Sequence, residues 1–138
     1  MDSIRIFGYK SFKKLSVQLH PINLLIGANG AGKSNFLSLF EMLGNIYEKR
    51  LGAYVAQVGG VDKFLYQGRK VTDRIAVNLL IAKSEYDLVL LESDGKLIVE
   101  REVVGCYDDV CPLDLVRKNV ITEYQSESSL KDHKEEDL

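Results

Sequence analysis

The feature that most constrains the fold is a glycine-rich loop, Gly27-Ala28-Asn29-Gly30-Ala31-Gly32-Lys33-Ser34, between two segments of different pattern. The segment before it, Ile22–Ile26, is almost continuously apolar, which is typical of a strand covered on both faces of an α/β sheet. After it, from Lys33 to about Arg50, apolar residues recur every three or four positions, as on one face of a helix. We therefore predict an α/β fold in which the loop joins a buried strand to a helix.

The loop matches the pattern G-x-x-x-x-G-K-[ST], and its residue types fit a polyphosphate. Glycines let the backbone curl so that successive N–H groups point inward, and the helix start adds its positive dipole end. Lys33 supplies an ammonium group for the β- and γ-phosphates, and the Ser34 hydroxyl supplies a ligand for Mg²⁺. We predict that a nucleoside triphosphate is bound with Mg²⁺, and the absence of an Asn-Lys-x-Asp tetrad favours ATP over GTP. The residues predicted to contact the nucleotide are Gly27, Asn29, Gly30, Ala31, Gly32, Lys33, Ser34 and Asn35, with Ser34 as the magnesium ligand.

Two short segments precede the loop, residues 3–9 and 15–19, and their alternating pattern predicts two strands joined by a hairpin or near-hairpin. Within the following helix we expect close packing at Gly44, since glycine lowers helix propensity. Lys49 and Arg50 are expected in the last turn, where positive charge suits the helix dipole. The apolar face of this helix is predicted to contain Phe36, Leu39, Phe40, Leu43, Ile46 and Tyr47.

The rest of the chain predicts a meander and a polar tail. Gly59-Gly60 divides residues 53–67 into two helical turns around a bend. Residues 73–104 predict three antiparallel strands, with turns at 83–85 and at 93–95, where Asp-Gly is a strong hairpin signal. We expect a mixed or antiparallel sheet, with the loop's helix packed on it and the meander as its outer part. The predicted strands are Arg74–Ala82, Tyr86–Glu92 and Lys96–Val104; residues 114–124 form a short helix or strand, and the charged run 131–137 is expected to be solvated or disordered.

Composition and charge argue against several classes of protein. The net charge of −2 creates no global positive field that would gather nucleic acid. The longest apolar runs are too short to cross a bilayer, and no secretory signal is visible. Two cysteines, Cys106 and Cys111, make neither a disulfide framework nor a complete zinc site. These points favour the cytoplasm.

The chain lacks the groups that hydrolysis needs beyond the phosphate loop. A nucleotidase also needs an acidic residue for Mg²⁺ and a group that orients water, usually supplied near an apolar strand ending in Asp-Glu. The nearest similar segment, residues 88–94, leads at Glu92 straight into a hairpin turn, and we interpret it as a meander strand. No Leu-Ser-Gly-Gly signature occurs either. We therefore predict no catalytic residue in this chain.

The order of residues 4–15, Ile22–Ile26 and Gly27–Asn35 resembles the RecF/SMC-like branch of the ABC-type ATPases. It is most similar to the bacterial "predicted AAA ATPase" group within that branch. The segments Gly59–Gly68 and the meander after it also resemble this group. The resemblance covers about residues 3–104 and, more weakly, Glu127–Leu130.

The resemblance implies that residues 1–104 are the N-terminal lobe of such an ATPase and that residues 105–138 are a partial segment. A C-terminal lobe would supply the signature motif, the Asp-Glu strand and a switch histidine, and two subunits would close on two ATP molecules. The resemblance also implies that Lys13 or Lys14 lies near the nucleotide and Arg69 or Lys70 near the γ-phosphate, with a solvated surface position as the alternative for each. Phe12 either flanks the base or packs in the core. It implies work on DNA, in repair, recombination or phage defence.

Three functions remain open at this point: an ATP-binding lobe whose hydrolysis needs absent segments, a small P-loop kinase, and an interaction module that no longer binds nucleotide. Two strands before the loop argue against the kinase, and intact Lys33 and Ser34 argue against the module. An incomplete lobe is expected to expose apolar surface and to self-associate.

Overall fold

The computed structural model describes residues 2–20, 32–106 and 117–132. Its main element is a six-stranded sheet in the order β2-β1-β3-β4-β5-β6, in which every neighbouring pair is antiparallel. The predicted α/β class is confirmed as a mixed α/β fold, and the sheet is antiparallel throughout the described ranges. The predicted strand Ile22–Ile26 lies outside them. The strands are β1 (Ser3–Tyr9), β2 (Phe12–Gln18), β3 (Arg74–Ile81), β4 (Ser84–Ser93), β5 (Lys96–Cys106) and β6 (Arg117–Gln125).

The described residues between β2 and β3 form two helices and a short turn. Helix α1 spans Lys33–Tyr47 and helix α2 spans Leu51–Val58. A 3₁₀ turn at Val61–Lys63 follows, after the glycine pair that was predicted to bend the chain. Both glycines of that pair have positive φ, 124° at Gly59 and 103° at Gly60, so the bend uses backbone conformations that other residues rarely adopt.

The core lies between one face of the sheet and the two helices. Strand alternation sends Ile4 and Ile6 of β1 into it, where they join Leu39 of α1 and Leu51 of α2 in one buried cluster. The neighbouring strands continue the same face with Ile75, Val77, Leu88, Leu90, Leu97 and Val99. Burial of this apolar surface is the main force that holds α1 to the sheet.

The first hairpin is tighter than its sequence indicates. Strand β2 begins at Phe12 and not at Leu15, because Tyr9 already pairs with Phe12 across the ladder. The link therefore shortens from five residues to Lys10-Ser11. Lys10 adopts φ 48°, a left-handed conformation that closes so short a turn.

The helix prediction needs three corrections. Helix α1 ends at Tyr47, so Lys49, with φ 60°, and Arg50 lie beyond it and not in its last turn. Its buried residues are Leu39, Met42 and Ile46, whereas Phe40 is 42% exposed. Of the predicted face, Leu39 and Ile46 are in the core and Phe36 and Leu43 pack against it, so the correction is confined to the exposed Phe40 and the added Met42. Close packing does not explain Gly44 either, because no atom lies within 4 Å of the position its Cβ would occupy.

The meander is confirmed, with turns one or two residues from their predicted positions. The first turn is Ala82-Lys83, since Ile81 pairs with Ser84, and the second is Asp94-Gly95, since Ser93 pairs with Lys96. Positive φ angles at Asp94 and Gly95, 51° and 77°, fit the type I′ turn that Asp-Gly favours.

The chain's last described part adds a strand and an attachment to the helices. Strand β6 continues the sheet beside β5, so the helix-or-strand alternative for residues 114–124 resolves as strand from Arg117 onward. Residues 126–132, here called the C-terminal strap, then return to the helices. Glu127 accepts hydrogen bonds from the backbone N–H groups of Leu51 and Gly52 at the start of α2, at 2.9 and 3.1 Å. Of the predicted charged tail, residues 133–137 lie outside the described residues.

We predict that Gly44→Ala stabilises the protein by about 0.5–1 kcal/mol, because alanine favours the helix and finds empty space at this position. Urea unfolding of the two proteins measures the difference. Gly8→Ala is the matched control: Gly8 has φ +75°, and its Cβ would lie 2.3 Å from the carbonyl oxygen of Arg74. That variant should be clearly less stable than the parent. Destabilisation by Gly44→Ala would contradict the account of α1.

Candidate phosphate-binding site

The start of α1 is shaped by Gly32. This residue has φ 91°, in the left-handed region, and precedes the first helical residue, Lys33. Its carbonyl accepts the first helical hydrogen bond, from the N–H of Phe36 at 2.9 Å. A Cβ at Gly32 would lie 3.1 Å from the ring of Phe12, so both the backbone angle and the neighbouring ring favour glycine.

The first turn of α1 presents a positive dipole end that the helix's own residues do not offset. Gly32 has no side chain that could cap the helix, and the first turn contains no acidic residue. The N-terminal N–H groups of a helix have no acceptors within the helix and attract anions. Lys33 and Ser34 occupy this turn, with Lys33 half-buried and Ser34 exposed. The Ser34 hydroxyl is therefore accessible from solvent, as the magnesium prediction requires.

The turn of the first hairpin lies against this helix start. The side-chain amide of Asn35 donates to the hydroxyl of Ser11 at 2.9 Å. On the other side, the hairpin is fixed by the segment after the 3₁₀ turn: Lys10 N–H donates to the Phe64 carbonyl at 2.7 Å, and Tyr66 N–H donates to the Gly8 carbonyl at 2.9 Å. The hairpin turn is thus held between α1 and residues 64–66.

Ser38, one turn into α1, forms the centre of these contacts. Its hydroxyl donates to the Asn35 carbonyl at 2.8 Å, so both of its lone pairs are available as acceptors. Lys10 Nζ donates to it at 2.9 Å, and the Tyr9 hydroxyl donates at 2.7 Å. One serine hydroxyl therefore fixes a cation and a buried phenol of the hairpin against α1.

Burial and neighbouring groups change how Tyr9 and Lys10 titrate. Burial raises the pKa of Tyr9 to about 12, against a smaller opposing effect of the Ser38 hydrogen bond. Burial also lowers the pKa of Lys10, while the charge of Glu41 opposes that change. Lys10 Nζ lies 5.5 Å from the ring centroids of both Tyr9 and Phe64, within the range of cation–π attraction.

An open cleft of about 650 Å³ adjoins the hairpin turn and the helix start. Its polar lining residues are Lys10, Ser11, Asn35, Asp62, Lys63 and Gln67. Two amines, two amides and one carboxylate therefore face a space large enough for part of a nucleotide.

The structure brings together only some of the predicted site residues. Gly32, Lys33, Ser34 and Asn35 form the helix start, whereas Gly27, Asn29, Gly30 and Ala31 lie outside the described residues. Phe12 lies beside Gly32 and is partly buried against the core, and its place beside a base stays a prediction.

The described residues that line this cleft do not include Lys13, Lys14, Arg69 or Lys70, the cations named from the resemblance. Lys13 is exposed on β2, and Lys14 lines a groove on the sheet with Arg5 and Phe7. Asp62 accepts a hydrogen bond from the backbone N–H of Arg69 at 2.8 Å, and its other oxygen lies 3.9 Å from the Arg69 guanidinium. Arg69 Nη1 lies 3.4 Å from the Cβ position of Gly95, at the β4–β5 turn.

Lys10, Ser11 and Ser38 were missed by the sequence reasoning. A five-residue link between strands would have left Lys10 and Ser11 unplaced, and only the observed register sets them at the helix start. Ser38 lies on the helical face between the predicted apolar positions, which gives it no separate sequence signal.

Comparison with known proteins gives the family. A family model described as AAA ATPase domain matches residues 1–136. The chain belongs to the AAA ATPase domain family. Among curated proteins, no match to the chain is found. The family supports nucleotide binding and ATPase activity in general, and its members generally use ATP and Mg²⁺.

Two further observations concern the described part of this AAA ATPase domain. Within residues 2–20, 32–106 and 117–132, no helix is long and apolar enough to cross a membrane. Glu92, at the end of β4, accepts a hydrogen bond from Gly95 N–H at 2.8 Å. Its carboxylate therefore closes the hairpin turn, in agreement with its interpretation as a meander residue.

We predict that the free energy of unfolding of Tyr9→Phe varies less with pH in the alkaline range than that of the wild type. The pKa of Tyr9 in the folded protein, about 12, lies above the ordinary tyrosine value of 10.0, so its stabilising effect is complete below pH 10 and is lost as pH rises toward 12. The wild type should be more stable than Tyr9→Phe by about 1 kcal/mol at pH 8, and this difference should shrink at higher pH.

Urea unfolding at several pH values between 8 and 11.5 measures this difference. Tyr124→Phe, which removes a phenol that is 61% exposed, is the matched control. A difference between wild type and Tyr9→Phe that stays constant over the whole range would contradict the assigned titration.

Proposed function

We propose that this chain binds ATP with Mg²⁺ through the loop Gly27–Ser34 and the start of α1. The observation that carries the proposal is the helix start itself. A left-handed glycine leads into Lys33 and Ser34, and the first turn of α1 contains no acidic residue. The hairpin turn brings Lys10 to a cleft that Asn35 of α1 also lines. Membership of the AAA ATPase domain family supports the same ligand.

Each proposed contact follows from charge and position. The loop residues Gly27, Asn29, Gly30 and Ala31 and the N–H groups of the first helical turn surround the phosphates. Lys33 neutralises the β- and γ-phosphates, and Ser34 binds Mg²⁺ through its exposed hydroxyl.

Lys10 is a second cation for the same ligand. Ser38 holds its ammonium at 2.9 Å, and burial lowers its pKa, so bringing a phosphate close would favour its charged form. Lys10 is a better candidate than Lys13 or Arg69, because it lines the cleft while Lys13 is exposed on β2 and Arg69 pairs with Asp62.

We further propose that the chain is the N-terminal lobe of a RecF/SMC-like ATPase, with residues 1–104 as the lobe and residues 105–138 as a partial segment. Hydrolysis then requires a C-terminal lobe, on another chain or in a homodimer, that supplies the signature motif and the Asp-Glu strand. The position of Glu92 in a hairpin turn supports this view, since its carboxylate already has a structural partner. Roles in DNA repair or phage defence belong to the same proposal.

Calorimetric titration of the full chain with ATP and Mg²⁺ tests the binding proposal. We expect one ATP per chain, negligible turnover, and at least a tenfold loss of affinity in Lys33→Ala, since that variant removes the phosphate-binding ammonium. Lys83→Ala is the matched control, because Lys83 lies in the β3–β4 turn at the other end of β3 from the hairpin turn. Its affinity should equal that of the parent.

Two outcomes would overturn different parts of the proposal. If the folded protein did not bind ATP, the proposed ATP site itself would be contradicted. Rapid turnover by the 138-residue chain would leave the site in place but contradict the requirement for a second lobe.

The exposed side of α1 carries apolar residues that a partner surface could cover. Leu37 is 58% exposed and Phe40 is 42% exposed, and Phe40 stacks edge-on against Phe36 at 5.5 Å between ring centroids. Adjacent apolar residues on an exposed helix are typical of protein contact surfaces. We propose that the second lobe, or a second copy of this chain, covers them.

We predict that the wild-type chain self-associates and that Leu37→Lys weakens this self-association, because the substitution places a charge in the apolar surface. Sedimentation at several protein concentrations measures the effect. Val71→Lys, at an apolar residue that is 66% exposed outside the helices, is the control and should associate like the parent. A wild-type chain that is monomeric at every concentration would contradict the prediction.

A further inference from the structure

The side of the sheet opposite the helices carries a groove of about 400 Å³. Every described residue that lines it belongs to strands β1–β4. Because Ile6, Val77 and Leu88 point into the core, the residues on either side of them in sequence point to this opposite side. We call it the outer sheet face; its residues are Arg5, Phe7, Lys14, Ser16, Ala76, Asn78, Asp87 and Val89.

An apolar row of side chains crosses the middle of the outer sheet face. Phe7 of β1 is opposite Ala76 of β3, and Ala76 is opposite Val89 of β4. Phe7 is 48% exposed, so a partner that covers its ring removes a large apolar surface from water. The small side chain of Ala76 leaves space between its two larger neighbours. This row therefore offers an apolar, indented surface to a partner.

A charged row runs beside the apolar one. Arg5 of β1 is opposite Asn78 of β3, and Asn78 is opposite Asp87 of β4. The Asn78 amide donates to the Asp87 carboxylate, which fixes this group and leaves it further acceptor positions. Arg5 and Asp87 are two strands, or roughly 10 Å, apart. Within the described part of the chain, neither of them forms an ion pair.

The two rows are complementary to themselves under a two-fold rotation. If two sheets stack with a two-fold axis along β3, then β1 of each copy lies over β4 of the other copy. Arg5 then lies over the partner's Asp87, and the same contact occurs twice. In the apolar row, Phe7 lies over the partner's Val89. Stacked sheets are about 10 Å apart and aligned within roughly 30°, a separation that an arginine and an aspartate side chain together span.

We infer that the outer sheet face binds a second copy of this chain, with the two sheets back to back. The interface of a two-fold dimer uses the same patch on both subunits and must be complementary to itself, as these rows are. Six strands of about seven residues cover roughly 29 by 23 Å, or about 650 Å² per copy, against roughly 800 Å² per partner in a standard interface. We therefore expect a reversible dimer.

A second copy fits the charges of this face better than a polyanion does. Asp87 lies in the charged row, and a carboxylate repels phosphate groups. Lys14 lies beside Phe7 at the β2 end of the apolar row, and Arg101 lies at the β5 end. In the stacked arrangement these two cations meet, and Glu123, opposite Arg101 on β6, supplies an acid at the same place.

The back-to-back arrangement leaves the helices of both copies on the outside. Helix α1 packs on the core side of the sheet, so the candidate phosphate site and the exposed Leu37 and Phe40 face away from the dimer contact. Each copy therefore keeps its own phosphate site and its own apolar surface on α1. Back-to-back association and ATP affinity are expected to be independent of each other.

Sedimentation equilibrium of the Leu37→Lys variant measures this contact apart from the surface on α1. We predict a reversible dimer in that background. Arg5→Glu and Asp87→Arg, each added to it, should raise the dissociation constant by about tenfold or more, because each places like charges opposite each other twice. An equimolar mixture of these two proteins should associate again, since opposite charges then meet in both contacts. A folding defect would not be repaired by mixing.

Lys13→Glu, in the same background, is the matched control. It reverses a charge one residue before Lys14, but strand alternation places it on the helix side of β2. Its dissociation constant should equal that of the Leu37→Lys parent. A parent that stays monomeric, or a mixture that associates no better than its two components, would overturn the inference. Binding of a single-stranded oligonucleotide by a monomeric parent, lost in Arg5→Glu, would also overturn it and would assign the face to nucleic acid.

Backbone NMR of the Leu37→Lys protein at increasing concentration provides a measurement that does not depend on charge-reversed variants. We expect the amide signals of Arg5, Phe7, Asn78 and Asp87 to shift together with concentration, while that of Gly44 on α1 stays in place. Concentration-dependent shifts confined to α1 would contradict the inference directly.

Discussion

The described structure depends most on the hydroxyl of Ser38, which joins the first hairpin to the first turns of α1. Its donated bond to the Asn35 carbonyl leaves two acceptor positions, and Tyr9 and Lys10 fill them. Tyr9 is fully buried, so an unsatisfied phenol there would cost about 1–3 kcal/mol. The same bond that satisfies the core therefore also places a cation beside the helix start.

The two ends of α1 are held by different chemistry. At its start, the hairpin turn contacts Asn35 and Ser38 through neutral hydroxyl and amide groups together with one ammonium. Just beyond its end, Lys49 and Glu48 form exposed ion pairs with the C-terminal strap, which contribute little by themselves. The strap is held more strongly by the buried hydrogen bonds that Thr122 and Ser128 make with Glu102.

The sequence predicted those elements whose pattern is local. Strand alternation gave β1 and the meander, and Asp-Gly identified the β4–β5 turn, because these signals lie within a few residues of each other. The start of β2 was wrong because Phe12-Lys13-Lys14 carries two exposed lysines and no clear alternation. The hydrogen bonds at Ser38 and at Glu102 join side chains that are 28–29 and 16–26 residues apart in sequence, so only the strand register and helix packing bring them together.

The central claim is that the start of α1 and the adjoining hairpin turn form one polyphosphate site. Backbone and side-chain NMR of the full chain, titrated with ATP and Mg²⁺, tests it most directly. The account predicts that the amide signals of Gly32, Lys33 and Ser34 and the ammonium signal of Lys10 shift together with one affinity, while the amide of Lys83 does not move. Shifts confined to the groove around Arg5 and Phe7, or no shifts at all in folded protein, would contradict it.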